Sequence, residues 1–231
     1  MIIAIDGPAG SGKSSTAREV AARLKITYLD TGAMYRAVTL KALRREIPST
    51  DDHALERIMQ ETVISFEGTA PDTRIIMDGE DVSEEIRGDE VTAHVSDYCA
   101  RNVVRKSLVD QQRLIASGRS VVCEGRDIGT VVFPRAELKI FMVASAEERA
   151  RRRQKDFSRL GIEKSLKNLV EEIIIRDRKD STRENSPLLK ADDAVEMDTT
   201  GMTLEEQITF VIDKASPFLD ENGARPGNST Y

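Results

Sequence analysis

Short apolar runs alternate along this chain with longer segments in which apolar residues recur every three or four positions. The short runs predict five β-strands, at residues 2–5, 26–29, 120–123, 138–143 and 194–197. The longer segments predict six helices, at residues 14–24, 33–45, 102–117, 146–160, 163–179 and 203–215. Strands that alternate with helices predict an α/β fold with three layers, in which helices cover both faces of a parallel sheet. Each predicted strand ends in polar or glycine-containing residues, so ligands are expected at the carboxyl edge of the sheet.

One stretch departs from this alternation. Residues 63–66 and 74–77 read as short strands, and they are separated by a loop, 68–72, that contains Gly68 and Pro71. Because so short a connection cannot be a parallel crossover, it predicts a small antiparallel β insertion on the main fold. Residues 217–231 are rich in Pro, Gly, Asn and Ser, which predicts a flexible tail.

The first strand and the first helix are joined by a glycine-rich phosphate-binding loop, the P-loop. The residues expected to surround the phosphates of ATP are Gly7, Pro8, Ala9, Gly10, Ser11, Gly12, Lys13, Ser14 and Ser15. The glycines turn backbone N–H groups inward, and the helix N-terminus adds partial positive charge. Lys13 is expected to reach the β- and γ-phosphates, and the Ser14 hydroxyl is the expected ligand of Mg²⁺, largely through water.

The composition of the chain limits the kinds of partner that it is expected to bind. The chain has 231 residues and a formal charge of −6, which disfavours broad binding to nucleic acid or to anionic membranes. It has no apolar stretch near the ~20 residues of a membrane span and no signal peptide before the P-loop, so a cytoplasmic location is expected. The two cysteines and two histidines have no metal-binding spacing, and we assign them no function.

A P-loop alone does not separate a kinase from a GTPase or a motor. The Asn-Lys-x-Asp motif that recognises guanine is absent, which argues against a GTPase. Several arginines follow predicted strands or lie on polar loops, and they favour a kinase. Transfer between two phosphate-bearing substrates requires several anionic oxygens to be bound at once, and arginine binds such oxygens well. These arginines are Arg36, Arg105, Arg126, Arg176 and Arg183.

Several segments, in order along almost the whole chain, resemble the bacterial cytidylate kinases of the nucleoside monophosphate kinase family. They are the P-loop and residues 28–36, 125–134, 147–153, 176–183, 186–188 and 198–200. Most specific is the string Gly-Arg-Asp-Ile-Gly-Thr-Val-Val-Phe-Pro at residues 125–134. The resemblance implies phosphorylation of CMP and dCMP by ATP with Mg²⁺. A monomer is the default expectation, and no nucleic-acid or membrane partner is expected from the composition.

The resemblance also implies roles for individual residues. Ser96, Arg105 and Asp127 match the residues that read cytosine, and Arg36 and Arg126 match the clamp on the monophosphate. The remaining residues matched to the CMP side are Arg176 and Asp180 at the sugar, Arg183 near the phosphates, and Thr31 beside the pocket. On the ATP side, Arg149 matches a contact to adenine and Arg153 a contact to the phosphates. The residues expected to act in catalysis are Lys13, Arg126, Arg153 and Arg176.

Some alternatives stay open from the sequence. Arg151 and Arg152 fit a solvated, ion-paired helix face equally well, Asp180 fits a helix cap, and a role of Glu124 near magnesium-bound water is undecided. The acceptor could instead be UMP, AMP or a small metabolite such as shikimate. The chain could also be an ATP-binding switch without turnover, or an ATPase acting on nucleic acid.

The expected organisation is a single P-loop kinase domain. Its core comprises residues 1–30, 100–150 and 163–216. A CMP-binding region with the β insertion covers residues 31–99, a short lid covers 151–162, and the flexible tail covers 217–231.

Overall fold

The computed structural model describes residues 1–159, 161–220 and 223–224. Residue 160, expected in the lid, and residues 221–222 and 225–231, expected in the flexible tail, lie outside the described part of the chain. The main sheet has the five predicted strands, β1 (Ile2–Asp6), β2 (Thr27–Asp30), β6 (Val121–Gly125), β7 (Leu138–Val143) and β8 (Val195–Asp198). They are all parallel, in the order β2-β6-β1-β7-β8. The predicted parallel sheet is therefore confirmed.

The insertion is a second, antiparallel sheet. It consists of β3 (Ile64–Glu67), β4 (Arg74–Met77) and β5 (Glu80–Asp81), in chain order. The prediction of a small antiparallel insertion is confirmed. Two further short strands, β9 (Leu219–Asp220) and β10 (Gly223–Ala224), pair within the described part of the tail.

All six predicted helices are present, and the structure adds two. The predicted helices are α1 (Lys13–Leu24), α2 (Thr31–Arg44), α5 (Asn102–Ala116), α6 (Ala146–Arg159), α7 (Leu166–Thr182) and α8 (Leu204–Ala215). The added helices, α3 (Asp52–Glu61) and α4 (Asp89–Cys99), flank the antiparallel sheet in sequence. Within the described ranges, no helix combines the length and the apolar character needed to cross a bilayer.

The helices cover both faces of the main sheet, as the apolar strand sequences require. On one face, Leu29 packs with residues of α2 and α5 such as Val38 and Leu108. On the other face, Ile3 and Ile140 pack with residues of α1 and α8. Burial on both sides fixes the strands, which sets the points from which the loops at their carboxyl ends start.

Ion pairs attach the insertion to α2. The Lys41 ammonium lies 2.6 Å from the Asp78 carboxylate in the turn between β4 and β5. Arg44 pairs with Glu80 at 2.7 Å and also with Glu85. The Lys41 side chain is buried, whereas the Asp78 side chain is 37% exposed, so solvent reaches the carboxylate side of this contact. Helix α2 and the antiparallel sheet are thus joined by both polar and apolar contacts.

Candidate active site

A cleft of about 1000 Å³ opens at the carboxyl edge of the main sheet. Its walls come from the P-loop and α1, from α2 and the insertion, and from α6 and α7. The predicted site residues on its surface are Ala9, Gly10, Gly12, Lys13, Ser14, Ser15, Arg36, Arg126, Arg153 and Arg176. The structure therefore brings the P-loop and the predicted phosphate-binding arginines to one cavity.

The P-loop backbone depends on glycine. A Cβ atom on Gly7 would lie 2.1 Å from the Met142 carbonyl oxygen of the neighbouring strand β7, and Gly7 has a φ of +150°. Gly12 has a φ of 100° at the start of α1, and no side chain caps the helix there. The first N–H groups of α1 are consequently left for a ligand, with the positive end of the helix dipole behind them.

Lys13 is buried at the foot of the cleft, and its ammonium donates a 2.8 Å hydrogen bond to the Pro8 carbonyl oxygen. Burial, and then the nearby cations Arg126 and Arg176, lower the pKa of Lys13 to about 7, while Glu124 acts in the opposite direction. A cation that is destabilised in this way gains more from a bound anion than a solvated lysine would.

The arginines of the cleft are only partly neutralised by the protein. Arg126 donates to Asp180 at 2.9 Å, and Arg36 donates to the Thr92 hydroxyl at 3.0 Å. Within the described residues, the Nε atom of Arg176 is buried and has no hydrogen-bond partner. Burial, followed by repulsion from Arg126 and Arg36, lowers the pKa of Arg176 to about 10. This excess of positive charge fits a polyanionic ligand.

Behind Arg126 lies a buried group of polar side chains. Arg105 forms a buried ion pair with Asp127, and Arg183 lies 3.8 Å from the other oxygen of the same carboxylate. The guanidinium of Arg105 also lies 5.2 Å from the centre of the Tyr35 ring. The structure thus brings together Arg105 and Asp127, which were expected to read cytosine, with Arg183, which was expected near the phosphates, and adds Tyr35.

Unpartnered polar atoms concentrate around this group. Among the described residues, the buried side-chain atoms without a hydrogen-bond partner include Arg105 Nε, Arg183 Nη2, Arg176 Nε and the Tyr35 hydroxyl. Buried polar groups are nearly always paired, so a cluster of unpaired donors indicates a place for a polar ligand. Among predicted residues nearby, Asp180 accepts from Arg126, and Thr31 donates to the Glu124 backbone carbonyl at 2.7 Å.

Ser96 lies near the buried polar group, on helix α4. It is half-buried on α4, one turn before Cys99, whose carbonyl oxygen accepts a 3.2 Å hydrogen bond from Arg105. Its expected contact to a base stays a prediction.

Helix α6 reaches the P-loop through two arginines on one face. Arg149 is buried, forms a two-pronged ion pair with Asp177 (2.6 and 3.0 Å), and donates to the Ala9 carbonyl at 3.1 Å. Arg152 donates to the Ser11 carbonyl at 3.2 Å and to the Thr199 carbonyl at 2.6 Å. The expected contact of Arg149 to adenine stays a prediction, since its guanidinium here serves the P-loop.

Sequence reasoning missed Arg152, because a run of arginines beside glutamates also fits a solvated face. Its spacing of three residues from Arg149 was the available signal, since that spacing places both side chains on one face. Arg151, which points elsewhere, is 60% exposed, as the solvated interpretation expects. Arg153 lies 3.6 Å from Glu172 and faces the ring of Phe157.

Oxygen donors suited to a hard cation also line the cleft. They are the Ser14 hydroxyl and the carboxylates of Asp30 and Glu124. Glu124 accepts from the Tyr28 hydroxyl at 3.1 Å, and burial together with the charge of Glu124 raises the pKa of Asp30. Among the described residues no group of three or more His, Cys, Asp or Glu side chains could hold a metal alone. The donors therefore fit Mg²⁺ that keeps waters and phosphate oxygens as its other ligands.

The cytidylate kinase family model matches residues 3–217, which include the P-loop, the arginines of the cleft and the buried group around Asp127. The chain belongs to the cytidylate kinase family. Cytidylate kinase of Desulforamulus reducens is 50% identical, over 91% of this chain and 94% of the relative. Cytidylate kinase of Streptococcus suis is 49% identical, over 94% of this chain and 97% of the relative. Cytidylate kinase of Chloroherpeton thalassium is 45% identical, over 96% and 95%.

Among solved structures, an uncharacterised protein of Eubacterium ventriosum superposes with a TM-score of 0.51 at 12% identity, over 94% of this chain and 98% of that one. That likeness shows the fold alone. Membership of the cytidylate kinase family rests on the sequence matches, and it confirms the resemblance found in the motifs.

Proposed function

We propose that this chain transfers the γ-phosphoryl group of ATP to CMP and dCMP, giving ADP and CDP or dCDP. The observation that carries the proposal is that one cleft holds both the P-loop, with the uncapped start of α1, and the arginines Arg36, Arg126 and Arg176. Directly after Arg126 in the chain, Asp127 belongs to a buried polar group in which the Arg105 Nε atom and the Tyr35 hydroxyl have no hydrogen-bond partner among the described residues.

On the ATP side, the P-loop amides and Lys13 bind the phosphates, and Arg153 joins them from α6. Ser14 would hold Mg²⁺ largely through water, and the carboxylates of Glu124 and Asp30, which line the same cleft, would accept hydrogen bonds from those waters. When bound, the metal neutralises charge on the phosphate oxygens. Arg149 in the core and Arg152 in the lid both donate to P-loop carbonyls, so a movement of the lid reaches the loop through Arg152.

On the CMP side, Asp127 accepts from the exocyclic amine of cytosine, while Arg105 and Ser96 donate to the ring acceptors. Uracil has a carbonyl where cytosine has that amine, so a carboxylate at this place disfavours UMP. Arg36 and Arg126 clamp the monophosphate.

Three further residues complete the CMP side. Arg176 and Asp180 contact the sugar, and Arg183 supports the phosphates. Thr31 lies beside this pocket.

Phosphoryl transfer of this kind needs positioning and charge neutralisation rather than a covalent intermediate. Lys13, Arg126, Arg153 and Arg176 surround the path between the two phosphates and supply the neutralising charge. Water competes with CMP as the acceptor, so we propose that the lid at 151–162 and the region at 31–99 close over the bound nucleotides. Residues 1–30, 100–150 and 163–216 form the stationary core.

We propose that the enzyme acts as a monomer, with these nucleotides as its partners and without nucleic acid or membrane. Size-exclusion chromatography with light scattering, with and without both nucleotides, measures the mass of the particle. A stable dimer would contradict the first part of this proposal.

The central test is an ADP-release assay with CMP, dCMP, UMP, AMP and shikimate as acceptors. In Asp127→Ala, loss of a hydrogen bond to a charged group is worth about 1.5–3 kcal/mol, so the preference for CMP over UMP should fall roughly tenfold to a hundredfold. The ratio is the quantity to measure, because it does not depend on the folded fraction of the variant. Asp97→Ala, at a half-exposed ion pair on α4, is the matched control.

The proposal fails if the wild-type enzyme shows no preference for CMP, or if Asp127→Ala loses CMP and UMP activity equally. Release of ADP only with another acceptor would favour a different small-acceptor kinase. ATP binding without turnover on any acceptor would favour a switch protein.

A further inference from the structure

Asp6 connects the P-loop strand to the turn that carries Asp127. It is the last residue of β1, directly before Gly7, and it is 5% exposed. Its two carboxylate oxygens accept hydrogen bonds from consecutive backbone N–H groups, of Ile128 at 2.8 Å and of Gly129 at 2.7 Å. A carboxylate that accepts from two adjacent amides fixes the direction of both peptide planes.

The turn held in this way is unusual and tightly packed. Residues Ile128–Val132 form a π-helical turn directly after Asp127. A Cβ atom on Gly129 would lie 3.1 Å from the Lys139 side chain and 3.4 Å from the Asp6 carboxylate. The turn therefore rests against β7 on one side and against Asp6 on the other, so its position depends on both.

The charges around Asp6 link it to both nucleotide sites. Lys13 on α1 faces it as the nearby cation, Asp127 faces it from the turn as a like charge, and Cys123 faces it from β6. Burial, which outweighs the two amide hydrogen bonds, raises the pKa of Asp6 to about 6. Burial disfavours the charged form of Asp6, so the presence of a carboxylate at this position is not explained by solvation of its charge.

We propose that Asp6 is a positioning residue for acceptor recognition: it holds the turn so that Arg126 and Asp127 meet the monophosphate and its base. This inference rests on the proposed function, in which Asp127 reads cytosine. Asp6 does not touch either nucleotide and acts through the backbone at 128–129.

Asp6→Asn tests the inference. The amide keeps one acceptor oxygen and presents an NH₂ group to the second backbone N–H, so one hydrogen bond is lost and the turn shifts. We expect the KM for CMP to rise about tenfold and the CMP-over-UMP preference to fall by a similar factor, as for loss of one charge-assisted hydrogen bond. The KM for ATP and the kcat at saturating CMP should change less than threefold.

Gly129→Ala is the second variant. It adds a methyl group against the Lys139 side chain and the Asp6 carboxylate, so the turn and its neighbours shift by a few tenths of an ångström, and it leaves the charge of Asp6 beside Lys13 unchanged. We expect the same loss of CMP preference, without any change at the ATP site. Asp51→Asn, in which a carboxylate that accepts from the Ala54 N–H of α3 becomes an amide, is the matched control and should keep the wild-type ratio.

Wild-type CMP preference in a folded Asp6→Asn enzyme would overturn the inference, as would equal rises in the KM for both substrates. If Asp6→Asn does not fold, Gly129→Ala decides by the same criteria. Failure of the proposed function is seen separately, because the wild-type enzyme would then lack CMP preference.

Discussion

Lys13 should take up a proton when the triphosphate binds. In the free protein, burial and the neighbouring arginines lower the pKa of Lys13 to about 7. A bound polyanion places opposite charge against the ammonium and restores its ordinary protonated state. The perturbation is therefore the binding of ATP, and the observable is the number of protons that accompany it.

The expected number follows from the free-state pKa. At pH 8, a group with a pKa of about 7 is protonated in roughly one molecule in ten, so binding should take up about 0.9 proton. At pH 7, about half of the molecules are already protonated, so uptake should fall to about 0.5 proton. The uptake thus increases with pH across this window.

Calorimetric titration with a non-hydrolysable ATP analogue and Mg²⁺ measures this number, when repeated in buffers that differ in ionisation enthalpy. Lys13→Arg is the control, because a guanidinium stays charged at both pH values. It also corrects for protons exchanged by the analogue itself. Equal proton uptake by wild type and Lys13→Arg at pH 8 would refute the reasoning.

Three further substitutions test other parts of the structure. Gly7→Ala should abolish ATP binding, measured by calorimetry, because its Cβ would lie 2.1 Å from the Met142 carbonyl oxygen; binding with wild-type affinity would contradict the P-loop geometry. In Asp30→Asn, the unfolding free energy relative to wild type should increase as pH rises from about 4 to about 6 and then level off, because burial and Glu124 raise the folded-state pKa of Asp30 to about 6, and the wild type loses stability as that carboxyl ionises. Urea unfolding at several pH values checks this, and a gain that does not change with pH would count against it. Lys41→Met should cost about 0.5–1.5 kcal/mol in urea unfolding, since the hydrogen bond from the buried ammonium to Asp78 is lost while the 37% exposed carboxylate stays in contact with solvent; an unchanged midpoint would mean that the ion pair contributes nothing.

Much of the fold was predictable because its signals are local. Apolar runs that end in glycine or polar residues specify a parallel sheet and its ligand-binding edge, and the P-loop combines strand, glycines and helix start in consecutive residues. Helices α3 and α4 were not anticipated, although each carries a signal. Asp51 caps α3, and α4 has buried residues at Val91, Val95 and Tyr98, which is helical spacing.

The internal contacts of the site were not predictable from local patterns. The pair Arg105–Asp127 and the contact from Asp6 to Gly129 join residues that are 22 and 123 positions apart. Sequence showed that a carboxylate and several arginines were available, but not that they neutralise one another. Arg152 illustrates the same limit, since it contacts the P-loop through the backbone carbonyl of Ser11, which no side-chain pattern reveals.

The ion pairs from α2 to the insertion have a consequence for Arg36, which lies on the same helix one to two turns before Lys41 and Arg44. Its guanidinium donates to Thr92 on α4, and α2 also packs against Leu29 of the main sheet. The helix that carries Arg36 is thus held between the main sheet and the insertion, so a shift of the insertion strains the position of Arg36 relative to Lys13. Amino-acid changes on the outer edge of that small sheet, remote from any phosphate, can in this way alter the separation between donor and acceptor.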